Sequence, residues 1–213
     1  MPNAGNRSRD MALVALFAAL TAVGAFIRIP VPVVPFTLQF LFTNLAGLLL
    51  GAKRGAAAAC VYMAAGLLGV PVFTQGGGPW YVMNPTFGYI AGFAAGAWLA
   101  GFIVQKCQKK SFALLLAASF ANIAVVYLFG VVYYWFAASY FAGSPVAVSA
   151  LLLYGVALAA PGDIALCFVS AALAAKILPR IGGGGQTGSC GPAGSALHRG
   201  RWPRWYQDAR PCG

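Results

Sequence analysis

The chain has 213 residues, 61% hydrophobic and only 8% charged, with a formal net charge of +11. A soluble domain carries roughly 25% charged residues, so this composition excludes a soluble globular fold and indicates an integral membrane protein. The cations lie in short loops and a tail, where they act as topology and lipid-contact signals rather than as a nucleic-acid surface.

Met1 to Asp10 is a short polar lead with Arg7 and Arg9. Met11 to Ile27 is apolar and uncharged, long enough for a first membrane span. This run is too long for a cleaved secretory signal and lacks a polar cleavage region, so none is expected. Ala15, Ala18, Ala19 and Ala22 give this span a small-residue face, which admits another helix closely, either within the bundle or on a partner. Arg28 ends the span. Three prolines in Ile29-Pro30-Val31-Pro32-Val33-Val34-Pro35 rule out helix and predict an extended loop. Phe36 to Gly51 is the second span, followed by Lys53 and Arg54, and Gly55 to Gly69 is the third.

Val70 to Asn84 is an uncharged loop with Gly76, Gly77 and Gly78, interleaved with Phe73, Trp80, Tyr81 and Met83. Glycines permit unusual backbone angles and motion. A merely solvating linker has no use for such large apolar side chains, so the loop is expected to close over something. Pro85 to Gln105 is the fourth span, on which Gly88, Gly92 and Gly96 recur every fourth residue as a tight packing face. Lys106, Lys109 and Lys110 follow. Phe112 to Phe136 is the fifth span and Ala137 to Val146 an uncharged loop. Val148 to Leu178 exceeds one straight span. Pro161-Gly162 divides it, so Ile164 to Leu178 completes a sixth crossing and Val148 to Ala160 forms an outer helical piece. From Gly182 the tail is Gly-rich, then basic with Trp202, Trp205 and Tyr206. It lacks apolar periodicity and is expected to be disordered. The expected fold is therefore all-α: a lead over residues 1–10, one six-helix membrane domain over 11–181, and a tail over 182–213.

Six crossings with Arg7 and Arg9 inside also put Lys53, Arg54, Lys106, Lys109, Lys110, Lys176, Arg180 and the tail on the cytoplasmic side. Only Arg28 is left outside, in agreement with the positive-inside rule. Both termini are then cytoplasmic. The Pro-rich loop, the Gly-aromatic loop and the loop around Tyr140 share the outer face.

Asp163 is the one carboxylate between Met11 and Gln207. An acid is costly in a membrane, so a lone one marks a functional site. Following Pro161-Gly162, it falls at the N-cap or first turn of the last helix, where a capping role is the alternative. It lies about 25 Å above Arg180 at 1.5 Å per residue, in the outer part of the membrane and beneath the outer loops. Gln39, Gln75, Tyr81, Asn84, Thr86, Tyr89 and Asp163 are the candidate polar groups of a pocket with aromatic and apolar walls. An ionised acid there suits a ligand that offers N–H donors.

Hydrolytic chemistry lacks its residues. There is no His-Glu-x-x-His, Gly-x-Ser-x-Gly, paired carboxylate or phosphate loop, and Asp163 has no acid-base partner in view. The single histidine, His198, is in the tail. Cys60, Cys107 and Cys167 lie in or near hydrophobic segments, Cys190 and Cys212 in the tail, without a Cys-x-x-Cys pair. No disulfide framework, metal site or cofactor is expected.

Three motifs occur in order: Val34-Pro35-Phe36-Thr37-Leu38-Gln39, then Gly77-Gly78-Pro79-Trp80-Tyr81 with Asn84-Pro85-Thr86-Phe87-Gly88-Tyr89-Ile90-Ala91-Gly92-Phe93, then Pro161-Gly162-Asp163. Together they resemble the biotin-specific S component of energy-coupling-factor transporters, the BioY family, over about Met11 to Ile181. The resemblance implies a six-helix subunit that captures biotin from outside without enzymatic activity. It further implies a transmembrane coupling protein and two ABC-type ATPases as partners, and an Ala-x-x-x-Ala face on the first helix for the coupling protein. Ala15 with Ala19 and Ala18 with Ala22 both match that face. The substrate-binding residues implied are Asp163, Asn84, Tyr89, Gln39, Thr86 and Tyr81. One departure stands out: the family motif continues Pro-Gly-Asp-x-x-Lys, and this chain has Leu166 at the lysine position. Arg28 is left either to meet the ligand carboxylate or to anchor the helix end at the interface. An ion-coupled carrier that uses Asp163 as a protonation site is the other functional reading.

Overall fold

The computed structural model describes residues 4–29, 36–107, 110–140 and 159–182. These residues form six α-helices: α1 (Ala4–Phe26), α2 (Gln39–Leu50), α3 (Ala52–Leu67), α4 (Phe87–Lys106), α5 (Phe112–Tyr140) and α6 (Ala160–Gly182). Two short strands, β1 (Arg28–Ile29) and β2 (Phe36–Thr37), pair antiparallel at the base of the Pro-rich segment. The segment between the strands and the tail beyond Gly182 lie outside the described residues. So do residues 141–158, which hold most of the loop expected after the fifth span and nearly all of the expected outer helical piece.

Among the described residues, four helices contain stretches long and apolar enough to cross a membrane: Arg7–Phe26, Phe87–Lys106, Phe112–Ala137 and Ala160–Pro179. α2 is a shorter apolar helix and sits at the centre, touching α1, α3, α4, α5 and α6. Ten of its twelve residues are buried, which is why its sequence is apolar around the whole circumference rather than along one stripe. Outside the bundle, Leu16, Val23, Trp98, Leu128, Val132 and Phe168 are exposed. That is the inverse of a soluble protein and fits a hydrocarbon surround.

Three boundaries differ from the sequence reading. The polar lead is helical from Ala4, and its Asp10 pairs with Arg54 at 2.5 Å. Lys53 and Arg54 belong to the first turn of α3 rather than to a loop, because α2 and α3 are joined by Gly51 alone. Gly51 has φ 84°, a left-handed angle that glycine adopts without cost. The Gly-aromatic segment holds a 3-10 helix, Pro79–Met83, and buries Phe73 and Tyr81 in a cluster with Ala18, Tyr62 and Ile90.

The glycine face of α4 packs on α5 as expected. A Cβ at Gly88 would run into Tyr133, one at Gly92 would lie 3.0 Å from the Val126 Cα, and one at Gly96 would strike the Asn122 amide. Deeper in the bundle, Asn44 Nδ2 donates to Ser119 Oγ at 2.8 Å and to Ser170 Oγ at 2.6 Å, while Asn122 Nδ2 donates to Asn44 Oδ1 at 2.9 Å. These buried bonds tie α2, α5 and α6 together, each contributing about 0.6 kcal/mol in a membrane interior. At the opposite end from the short strands, Lys110 donates to the carbonyls of Val104 and Cys107 and closes the last turn of α4; its partial burial lowers its pKa to about 8.

Candidate ligand cavity beneath the short strands

Helix ends and loops converge on a cavity lined by Thr37, Gln39 and Phe40 from β2 and α2, and by Thr74 and Tyr81 from the loop. Thr86, Tyr89, Ile90 and Phe93 come from the start of α4, Ile123, Val126 and Tyr127 from α5, and Ala159 and Asp163 from the start of α6. Of the predicted polar groups, Gln39, Tyr81, Thr86, Tyr89 and Asp163 meet here. Gln75, Asn84 and Arg28 do not line it.

Asp163 is the fourth residue of its helix, and its N–H bonds to the Ala159 carbonyl at 3.1 Å. The side chain is thus past the free N–H groups of the helix start, one of which Pro161 lacks anyway. It caps nothing among the described residues. Oδ2 instead accepts from the Tyr127 hydroxyl at 2.5 Å, and Oδ1 takes no hydrogen bond from the described residues. Tyr127 is a site residue that the sequence reading missed. A hydroxyl in an uncharged apolar helix needs a partner when withdrawn from water, but the same helix also carries Ser119, Tyr133 and Tyr134, so the sequence did not single out Tyr127. Leu166, at the position of the family lysine, is buried among Tyr89, Phe93 and Cys167 and presents no charge to the acid.

Most of the other polar groups are already satisfied by one another. Gln39 Nε2 donates to Tyr62 Oη, the Gln39 Oε1 accepts from Thr37 at 3.0 Å, and Tyr62 Oη donates to the Val72 carbonyl at 3.0 Å. Tyr81 Oη lies 3.2 Å from Thr74 Oγ1 and 3.3 Å from Thr86 Oγ1. Asn84 Oδ1 accepts from the Thr86 N–H at 3.0 Å and the Thr86 hydroxyl at 2.8 Å, an Asx turn that starts α4, and its Nδ2 donates to Gln75 at 2.7 Å. Asn84 therefore shapes the rim rather than facing the cavity. Arg28 Nη1 donates to the Thr74 carbonyl and fastens β1 to the loop. It lines a separate outer recess with Phe26, Pro71 and Phe73 instead of pointing at Asp163.

Tyr89 is different. Its hydroxyl is buried with no partner among the described residues, and its ring stands edge-on to Tyr127 with centroids 6.5 Å apart. Gly130 makes room for it, since a Cβ there would collide with the Tyr89 ring. The cavity thus offers an acceptor at Asp163 and an unpaired hydroxyl at Tyr89, set in apolar walls. Its volume of about 60 Å³ holds about four waters, whereas pockets for vitamin-sized molecules run to roughly 300–1,000 Å³. A ligand of that size has to part the walls.

The expected partner face of α1 divides in two. Ala15 and Ala19 are exposed, whereas Ala18 is buried and Ala22 packs beside it against Tyr62 and Ile90. Of the two expected pairs, Ala15 and Ala19 therefore face outward, whereas Ala18 is buried and Ala22 partly buried against the bundle.

An all-α bundle with a lipid-compatible exterior and a polar-and-aromatic cavity defines a multi-pass membrane protein of the small-molecule-binding class. The family model described as "BioY family" matches residues 1–183. A "Probable biotin transporter BioY" from Lysinibacillus sphaericus is 41% identical over 168 residues, covering 79% of this chain and 86% of that protein. The "Biotin transporter BioY" of Thermotoga maritima is 41% identical over 124 residues, 58% of this chain and 72% of that one. A crystal structure at 2.1 Å of the S-component for biotin from an ECF-type ABC transporter superposes with a TM-score of 0.72 over 83% of this chain and 94% of that one, at 22% identity. This last likeness establishes the fold. The chain belongs to the BioY family.

Proposed function

We propose that the protein is the substrate-binding subunit of an ATP-driven biotin uptake transporter. It captures biotin from the outer face, and a transmembrane coupling protein with two ABC-type ATPases drives release inward. The membrane domain spans residues 11–181 in six crossings with both termini cytoplasmic, and the tail from 182 lies on the cytoplasmic side. The subunit carries out no covalent chemistry of its own.

The observation that carries this reading is that Asp163 and the unpartnered Tyr89 hydroxyl line one cavity with apolar walls. A ureido group presents N–H donors beside a carbonyl acceptor. With Oδ2 held by Tyr127, Asp163 has Oδ1 for one ureido N–H, and the Tyr89 hydroxyl is available to the ureido carbonyl. Phe40, Ile90, Phe93, Ile123 and Val126 supply apolar surface for the fused rings. Gln39, Tyr81 and Thr86 hold the walls in place through the bonds described above. The test is a competition assay on the purified subunit. Biotin with blocked ureido nitrogens should compete poorly, and equal competition by the blocked ligand would refute the assignment.

A further inference from the structure

We infer that Tyr127 is a positioning residue that sets the plane of the Asp163 carboxylate and so fixes where its free oxygen meets the ligand. The inference rests on the proposed biotin site and extends it to a residue on a different helix. Asp163 enters the cavity from the first turn of α6, and Tyr127 from the middle of α5. The 2.5 Å bond between Tyr127 Oη and Asp163 Oδ2 is the only one to this carboxylate among the described residues.

A carboxylate on a two-torsion side chain turns freely unless something holds it. Its terminal torsion is broad, with no sharp rotamer wells. Tyr127 supplies the hold. Its ring is wedged edge-on against Tyr89, whose position is in turn set by the absence of a side chain at Gly130. The three aromatic and acidic side chains form a chain of contacts from Gly130 through Tyr89 and Tyr127 to Asp163. The hydroxyl also removes one acceptor from the ligand's reach, so the site presents a single free carboxylate oxygen. A ligand with one N–H beside a carbonyl fits it better than a bidentate cation such as a guanidinium, which needs both oxygens.

The test is a double-mutant cycle on labelled-biotin affinity with the purified full chain: wild type, Tyr127→Phe, Asp163→Asn and the double variant. Tyr127→Phe deletes one oxygen and keeps the ring. It should weaken biotin about five- to tenfold in the wild-type background, the scale of one net hydrogen bond. In the Asp163→Asn background its effect should shrink to about twofold or less, since contacting residues couple. It should also weaken biotin more than the analogue with blocked ureido nitrogens. Affinity is read on the binding-competent fraction, the melting temperature reports folding separately, and Tyr127→Met gives a second deletion of the hydroxyl. Equal loss in both backgrounds would assign Tyr127 to bundle packing and overturn the inference, as would an unchanged affinity in Tyr127→Phe. A wild-type chain that fails to bind biotin would strike the functional reading itself, and the inference would fall with it.

Discussion

Leucine at both Ala15 and Ala19 should abolish assembly with the coupling protein while leaving biotin binding intact. Both residues are exposed on α1, so the added isobutyl groups point away from the bundle and should change its stability by no more than about 0.5 kcal/mol. A docked helix, in contrast, would meet them as overpacking at about 1–3 kcal/mol per site. Two sites then cost about 2–6 kcal/mol, or roughly 30-fold to more than 10,000-fold in assembly affinity. Ala18 supplies the internal control. It is buried at 7% exposure against Tyr62 and Phe73, so Ala18→Leu should lower the melting temperature and impair biotin binding through the fold. The assay is co-purification of the tagged subunit with its coupling protein, alongside labelled-biotin binding by the subunit alone. Loss of biotin binding in the Ala15/Ala19 variant, or its undiminished assembly, would refute the division of α1 into an outer and an inner face.

Asp163→Asn removes the charge and one acceptor, so the bond to a ureido N–H should weaken by about 1.5–3 kcal/mol, roughly 10- to 150-fold in affinity by equilibrium binding; a change within threefold would move recognition elsewhere. Arg28→Ala should leave the ratio of biotin to biotin-amide affinity unchanged, because Arg28 is engaged by the Thr74 carbonyl outside the cavity; a collapse of that ratio in a competition assay would make Arg28 the carboxylate partner. The segment 68–86 should be protected from protease by biotin, since a cavity this small has to widen to admit it, and equal cleavage with and without biotin would rule out a closing loop. Gly96→Ala should lower stability by about 1–3 kcal/mol in thermal unfolding, because its Cβ would strike the buried Asn122 amide.

Hydropathy made the apolar helices legible, because a membrane imposes a strong and simple composition on what crosses it. Asp163 was legible for the same reason: a single acid in an uncharged stretch has to be explained. Its partner was harder to read. A Tyr-Asp bond joins α5 to α6 across 36 positions of sequence, and no local pattern encodes which hydroxyl of nine tyrosines arrives there. The Asn44, Ser119, Asn122 and Ser170 cluster escaped for a related reason. Each is a small polar residue tolerable in any membrane helix, and only packing reveals that they meet. Asn84 and Arg28 were candidates by their chemistry, and the structure shows what that chemistry also does in the fold: Asn84 starts a helix and Arg28 fastens a loop. The two alanine pairs on α1 share a spacing, and only their burial tells them apart. Helical spacing of four places residues on a common face but does not say whether that face looks inward or outward.

Biotin capture by this subunit is tested by equilibrium binding of labelled biotin to the purified chain, with no coupling protein, ATPase or nucleotide present. Binding should be saturable, displaced by unlabelled biotin and not displaced by a ureido-blocked analogue. A folded, monodisperse chain that shows no saturable biotin binding would contradict it.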